Sequence, residues 1–367
     1  MVDGIPDLDE VLAEALRRLG RINILVAGKT GVGKSTLINA VFQGELATTG
    51  VGRPVTLHTR YITKEGVPLG IYDTRGLEAA SFRETIGELE KLIQDRRAQQ
   101  NADDHIHVGW VCLVEDSRRV EPAESELVHM LTRREVPVIA VITKAKSDEG
   151  FRDAVTDLLS DVKNVVRVRA LATVFDDGHR LESMGLDDLI ELTDQVVPEG
   201  QRNALSAAQR VSLKQKQRRS HAAVATAVTA AASVGLTPIP FADAAAIVPI
   251  QVTMLASVSA IWGLPVNRAF LGTLVGGAMA GTGGTAAGRA TVTGLLKLIP
   301  GAGQVVGGMV SAATAGVLTT AFGEAYIATL SVVARDPQRV PTPDEVREEF
   351  MAQLRRRKRL TGQRQDQ

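Results

Sequence analysis

Lys34 and Ser35 close the run Gly28-Lys29-Thr30-Gly31-Val32-Gly33, which follows directly on the apolar stretch "RINILVA". Glycines at 28, 31 and 33 let the backbone turn its amides inward around an anion. The spacing Gly-x4-Gly-Lys-Ser sets an ammonium and a hydroxyl at the mouth of that nest. The next residues, "STLINAVF", read as a helix whose positive N-terminus faces the same charge. The chemistry predicted is capture of a nucleotide's phosphates. Lys34 reaches the β- and γ-phosphates, Ser35 is a Mg²⁺ ligand, and Gly28 through Thr36 wrap the phosphate chain. A chance glycine-rich turn would not sit between a buried strand and an amphipathic helix.

Two further parts belong to such chemistry. "DTRG" ends an apolar run, so Asp73 would hold Mg²⁺ through water and the Gly76 amide would sense the γ-phosphate. Between the two motifs "GVGRPVTLHTR" offers Thr56 and Thr59, and Thr56, at the end of the loop, fits a third Mg²⁺ oxygen better. The expected metal set is Ser35, Thr56 and Asp73, and the expected catalytic set is Lys34, Thr56 and Gly76.

The elements that must carry these residues alternate. Strands are expected in "INILVA", "VTLHTRYIT", "VPLGIYD", "HVGWVCLVE", "VPVIAVIT" and "VVRVRAL", with helices such as "FRETIGELEKLIQDRR" and "PAESELVHMLTRRE" between them. That alternation predicts a parallel sheet covered on both faces. The exception is "LHTRYITKEGVPLGIYD", where two strands meet at "KEG" and form an antiparallel hairpin. The 367 residues suffice for two domains, and lysine plus arginine (42) balance aspartate plus glutamate (42), so global charge does not point to nucleic acid and no DNA partner is expected. The single cysteine, Cys112, lies in "VGWVCLVE" and reads as a small buried hydrophobe in a reducing compartment. The opening twenty residues read as an amphipathic helix with acids early and arginines late, so no leader peptide is expected.

From about Arg21 to Pro198 these motifs resemble the Era-like branch of the translation-factor-related GTPases, including septin-like and immunity-related members. The resemblance implies an α/β, Ras-like P-loop GTPase domain with a six-stranded, mostly parallel sheet, binding GTP or GDP with Mg²⁺ through two switch loops. It also implies base reading by Thr143 and Lys144 and by a backbone amide near Ala170 in "RAL". Three positions depart from the family pattern. Lys146 in "TKAK" stands where an aspartate accepts from guanine, and an ammonium has donors only; Asp148 could substitute only with a rearranged loop. Leu77 stands where Ras-type members carry a water-positioning glutamine, and Gly31 where potassium-activated relatives carry asparagine. Turnover is therefore expected to be slow and raised by a homodimer or partner, with Arg53, Arg60 and Arg75 near the switches as charge stabilisers or as ordinary solvated arginines.

The second half is different in kind. Between Ala222 and Ala334 the only charged residues are Asp243, Arg268, Arg289, Lys297 and Glu324. "IPFAD" at Ile239 and "IPGAG" at Ile299, with "IWG" at Ile261 and "AFG" at Ala321, suggest two copies of one helical unit. "AAAIVPIQVTMLASVSAIWGLPVN" and "LIPGAGQVVGGMVSAATAGVLTTAFG" are long enough to cross a bilayer, and "GTLVG", "GAMAG" and "GTAAG" offer close-packing faces. Basic clusters at Lys214 to Arg219 and Arg355 to Arg359 could sit on anionic lipid at about 1 kcal/mol per residue. The same small residues suit a tightly packed soluble bundle, and they insert less readily than Leu, Ile or Phe. This half also resembles an uncharacterised Ala/Gly-rich helical domain that follows the G domain in a group of bacterial GTPases. The expected organisation is an N-terminal helix (1–20), a G domain (21–200), a basic linker helix (201–220), an apolar helical domain (221–335) and a charged helix and tail (336–367). The expected function is a GTP-dependent switch in the cytoplasm, with the helical half an oligomerising effector or one held peripherally at, or inserted in, the inner face of the cell membrane. The competing readings are a soluble regulatory GTPase touching ribosome or RNA, for which no RNA module or aromatic-basic interleaving is found, and an assembly protein with negligible turnover or relaxed base choice.

Overall fold

"INILVA" is apolar at all but one position, and in the computed structural model it forms β1 (Ile22–Ala27), buried throughout. Ile22, Ile24 and Val26 enter one core and Leu25 and Ala27 the other, as a two-residue repeat requires. A strand buried on both faces needs helices above and below it. The structure describes residues 19–42, 51–54, 59–74, 82–234, 242–264, 312–335 and 341–362, with a few isolated positions beside them.

The sheet order is β2-β3-β4-β1-β5-β6-β7, from β2 (Val51–Pro54), β3 (Thr59–Thr63), β4 (Leu69–Thr74), β5 (Val108–Val114), β6 (Val138–Thr143) and β7 (Asn164–Arg167). β1 pairs parallel with β4 and β5, and β6 pairs parallel with β5 and β7. β3 alone runs against its neighbours, joined to β4 by the expected hairpin, in which Thr63 faces Gly70. The six expected strands are therefore all present. The short β2 adds a seventh at the edge, and β3 begins at Thr59 rather than Val55.

One core lies between the sheet and α1 (Lys34–Val41), α5 (Leu186–Val196) and α6 (Glu199–Ala208). The other lies between the sheet and α2 (Phe82–Arg97), α3 (Pro122–Arg133) and α4 (Phe151–Leu158). In the first, Trp110 stacks on Phe42 with ring centroids 5.6 Å apart and donates its indole N–H to the Thr193 hydroxyl at 3.1 Å. α6 fills this core with Ala204, Leu205 and Ala208. Beyond it Arg210 donates its amide to the Val41 carbonyl at 2.9 Å and its guanidinium to the carbonyls of Asn39 and Ala40. These are last-turn carbonyls that α1 cannot satisfy itself.

The chain divides into two units, 20–212 and 1–19 with 213–367. The stretch 201–220 contributes to both. The Gln209 side chain accepts from the amides of Val211 and Ser212 and donates to the Ser212 carbonyl, closing a turn between α6 and α7 (Leu213–Val234).

In the helical unit α7 packs against α8 (Ala242–Ile261) and α9 (Ala312–Val333), and α10 (Pro343–Gly362) lies on α9. Phe350 of α10 meets Phe322 and Tyr326 edge-to-face, with centroids 5.0 and 5.3 Å away. Gly323 lets α9 and α7 approach closely, since a Cβ there would stand 2.5 Å from a Val224 methyl. Two buried polar pairs lie in this core: Trp262 donates to Ser220 Oγ at 2.9 Å, and the hydroxyls of Ser259 and Tyr326 bond at 2.7 Å. Among the described residues one helix, Ala315–Val333, is long and apolar enough to cross a bilayer, with a mean hydropathy of 1.4, and about half of it is buried within the unit. The expected repeat and the Gly-xxx-Gly stretches fall mainly on 235–241 and 265–311, outside the described residues. Within the basic cluster Lys214 to Arg219, Lys216 is only 3% exposed, its ammonium 3.4 Å from the Ile261 carbonyl, so it is not available to a lipid surface.

Two outcomes are expected. The fragment 20–212 should melt cooperatively, whereas 20–198, which lacks α6 and Arg210, should lose its transition or aggregate; equal melts would show that α6 is dispensable. Burial also pulls the Lys216 ammonium down to about 7 from 10.5. Between those values the unfolded chain binds the proton that the folded chain has released, so stability should rise with pH across that window. A Lys216→Met variant should lose its share of that rise in thermal melts taken from pH 7 to 10.

Candidate functional site

The loop 28–33 is shaped by what lies beneath it. A Cβ on Gly28, at φ 149°, would lie 2.5 Å from the Cys112 carbonyl, so strand β5 leaves room only for glycine. Gly33, at φ 101°, caps α1 in a left-handed conformation that L side chains rarely adopt. The first-turn amides of α1 have no partner within the helix and face the loop's mouth, and no acidic side chain occupies that turn. Thr30, Ser35 and Thr36 are exposed there, while Val32 is buried and holds the loop down.

Lys34 folds back over the loop, its ammonium donating to the Gly28 carbonyl at 2.7 Å and the Lys29 carbonyl at 3.0 Å. Burial lowers its pKa, while the Asp73 carboxylate at the end of β4 opposes that shift, so Lys34 and Asp73 act on the same space. Lys29 forms an ion pair with Glu121 at the head of α3. Beneath the loop burial pushes the Cys112 thiol up to about 12, which makes it the inert small hydrophobe expected.

The end of β6 clamps the loop from the other side. The Thr143 hydroxyl lies 2.6 Å from the Val32 carbonyl and 3.0 Å from that of Leu113. Lys144, at φ 54°, arches over and donates to the Gly31 carbonyl at 2.8 Å. A cleft of about 260 Å³ opens beside it, lined by Gly33, Thr143, Lys144, Lys146, Ala170 and neighbouring residues. Thr143, Lys144 and Ala170 thus converge with the head of α1. Thr56 stands in a bend before β3, while Thr59, the alternative, is buried in the sheet opposite Thr74. Arg60 pairs in register with Asp73, and Arg53 belongs to β2. Arg75, Gly76 and Leu77 lie outside the described residues.

The residues that the motifs did not reveal are Glu115, Arg167 and Arg169. Glu115, at the end of β5 and fully buried, accepts from the amides of Lys146 and Ser147 and from Arg167 Nε at 2.7 Å. Burial raises its pKa, but Arg167 and the two amides more than reverse this, and the carboxyl sits below its ordinary range. Arg169, buried, donates to the Ala145 carbonyl at 2.7 Å. Asp148 is committed elsewhere: its carboxylate accepts from the Arg152 amide at the head of α4 (2.9 Å) and lies 3.5 Å from Arg167. The only sequence signal for this network was an acid directly after an apolar strand in "CLVED".

A glycine-rich turn between the central strand and a helix, a lysine folded over it, and an aspartate at the end of the neighbouring strand define a P-loop domain with Ras-like strand order. Residues 23–144 match the family described as 50S ribosome-binding GTPase, and residues 200–356 match a domain of unknown function, DUF697. A segment matching that GTPase family thus precedes one matching DUF697. It is 32% identical over 100 residues to Magnetosome membrane protein 22 of Magnetospirillum gryphiswaldense, covering 27% of this chain and 51% of that protein. It is 33% identical over 138 residues to GTPase Der of Rhizobium johnstonii (36% of this chain, 28% of Der). With the tRNA modification GTPase MnmE of Desulfotalea psychrophila it shares 33% identity over 126 residues (34% of this chain, 25% of MnmE). The chain therefore spans about half the length of the first of these relatives and about a quarter of the other two.

Glu115→Ala leaves Arg167 and two amides without their acceptor, and should cost about 3 kcal/mol in urea unfolding of the sheet unit. Glu115→Gln, which keeps an acceptor oxygen, should cost less. The wild-type contribution is present above the ordinary carboxylate value of 4.5 and is lost as pH falls through the lowered folded value. A loss below about 1 kcal/mol for the alanine variant would show that the 146–147 loop is held by other contacts.

Proposed function

We propose that this chain binds GTP and GDP with Mg²⁺ and works as a slowly hydrolysing switch whose helical unit is the effector. The observation that carries this reading is the pair of lysines on the loop: Lys34 on the carbonyls of Gly28 and Lys29, and Lys144 on that of Gly31. Phosphate oxygens arriving at the head of α1 would take Lys34 from those carbonyls, exchanging neutral acceptors for charged ones. The first-turn amides would bind the same oxygens, and Lys144 would keep the loop's shape.

Ser35, Thr56 and Asp73 are all oxygen donors, the set a hard divalent cation prefers, and Ser35 stands exposed at the head of α1 with Asp73 acting on the same space as Lys34. Mg²⁺ held there would offset charge on the β- and γ-phosphates. The Gly76 amide would mark the γ-phosphate. Leu77 has no polar group with which to orient water, which makes slow turnover the expected intrinsic behaviour.

For the effector, the apolar helix Ala315–Val333 and the exposed basic side chains of Lys214, Arg218, Arg355 and Arg356 support contact with an anionic membrane surface from the cytoplasmic side. The likeness to a magnetosome membrane protein points the same way.

Lys34→Ala removes two charge-assisted contacts and should weaken binding of a fluorescent GTP analogue about a hundredfold or more. Unchanged affinity in a folded variant would overturn the assignment of the loop. Wild-type protein should also release phosphate from GTP slowly, and should float with vesicles containing phosphatidylglycerol to an extent that differs between GTP and GDP.

A further inference from the structure

The cleft beside the phosphate loop carries three cationic side chains, Lys144, Lys146 and Arg169, and no aspartate or glutamate among its described lining residues. The acids nearby are engaged with other groups. Glu115 is occupied by the amides of Lys146 and Ser147 and by Arg167. Asp148 is occupied by the Arg152 amide and lies beside Arg167. Asp116, on the outer side, takes one N–H of the Lys146 ammonium at 3.1 Å. An ammonium has three donors and no acceptor, so two N–H groups of Lys146 remain for a ligand in the cleft.

Those donors decide which base edge fits. A 6-oxopurine differs among nucleotides at position 2: guanine carries an amine that donates, hypoxanthine a hydrogen, and xanthine a carbonyl that accepts. A donating amine facing an ammonium leaves both sides unsatisfied, whereas a carbonyl receives a charge-assisted hydrogen bond. We propose that this pocket reads position 2 with Lys146 and binds xanthine nucleotides in preference to guanine nucleotides, the guanine form being held by its phosphates and 6-oxo group alone. The proposal rests on the phosphate-loop reading above and deepens it by naming the base.

The loop geometry keeps Lys146 in that role. Glu115 anchors the backbone on both sides of the 146–147 peptide, Ala145 donates its amide to the Val168 carbonyl at 3.1 Å, and Arg169 holds the Ala145 carbonyl. For Asp148 to reach the base, the cap of α4 and the approach to Arg167 would both have to break.

The test is competition of the 5′-triphosphates of xanthosine, inosine and guanosine against a ribose-labelled fluorescent GDP on the full chain with Mg²⁺. The expected order is xanthosine tightest, by about tenfold over guanosine, with inosine between. Lys146→Ala should flatten the series and Lys146→Asp should invert it; the side chain is exposed, so both variants should fold. Guanosine tightest in the wild type overturns the proposal, and loss of that preference in Asp148→Asn would then identify Asp148 as the reader. A wild type that binds none of the three overturns the phosphate-loop reading itself, which separates the two failures.

Discussion

The candidate site hangs on one hydroxyl. Thr143 Oγ1 lies within hydrogen-bond reach of the carbonyls of Val32 in the loop and Leu113 in β5, tying the glycine-rich turn to the ends of two neighbouring strands. With one proton to give, it favours the nearer Val32 oxygen at 2.6 Å. Because the turn is clamped there and seated on the Cys112 carbonyl, α1 leaves the sheet in a fixed direction, and the space beside it becomes the cleft lined by Lys144 and Lys146. Arg210 closes the far end of the same helix by taking its last carbonyls. One short helix is thereby held at both ends by residues from β6 and from beyond α6.

Much of this was legible in the sequence because its determinants are local. A glycine at a forced backbone angle, an apolar strand buried on both faces and a hairpin at "KEG" each follow from a few neighbouring residues, and the sheet has them where the pattern placed them. What was not legible is long-range. Glu115 looks like any acid at a strand end until Lys146, Ser147 and Arg167 are brought to it from 31, 32 and 52 residues away. Arg210 reads as part of a basic linker until the end of α1, some 170 residues upstream, presents its carbonyls to it. α6, "EGQRNALSAA", carries only Ala and Leu as apolar residues, so its burial is set by how close β1 allows it to come rather than by a strong stripe.

The helical unit is held by a different rule. Small residues give α7 and α9 their close approach, and the aromatic trio of Phe322, Tyr326 and Phe350 fills what remains. The dominant energy is area removed from water together with dense contact, at about 25 cal/mol per Å² of apolar surface. Such packing works in water and in lipid alike, which is why composition alone leaves the two environments open and why half-burial of Ala315–Val333 bears on the question.

The cysteine beneath Gly28 has a practical corollary. It is the chain's only cysteine, fully buried, with a thiol that does not ionise near neutrality. The native protein is therefore silent to maleimides and similar reagents while folded, because only the thiolate reacts. A cysteine introduced anywhere on the surface, in α10 or in the short antiparallel hairpin of Thr173–Val174 and Arg180–Leu181, would be the sole site labelled. Dyes or spin probes placed in this way would report on conformation in an otherwise unaltered background.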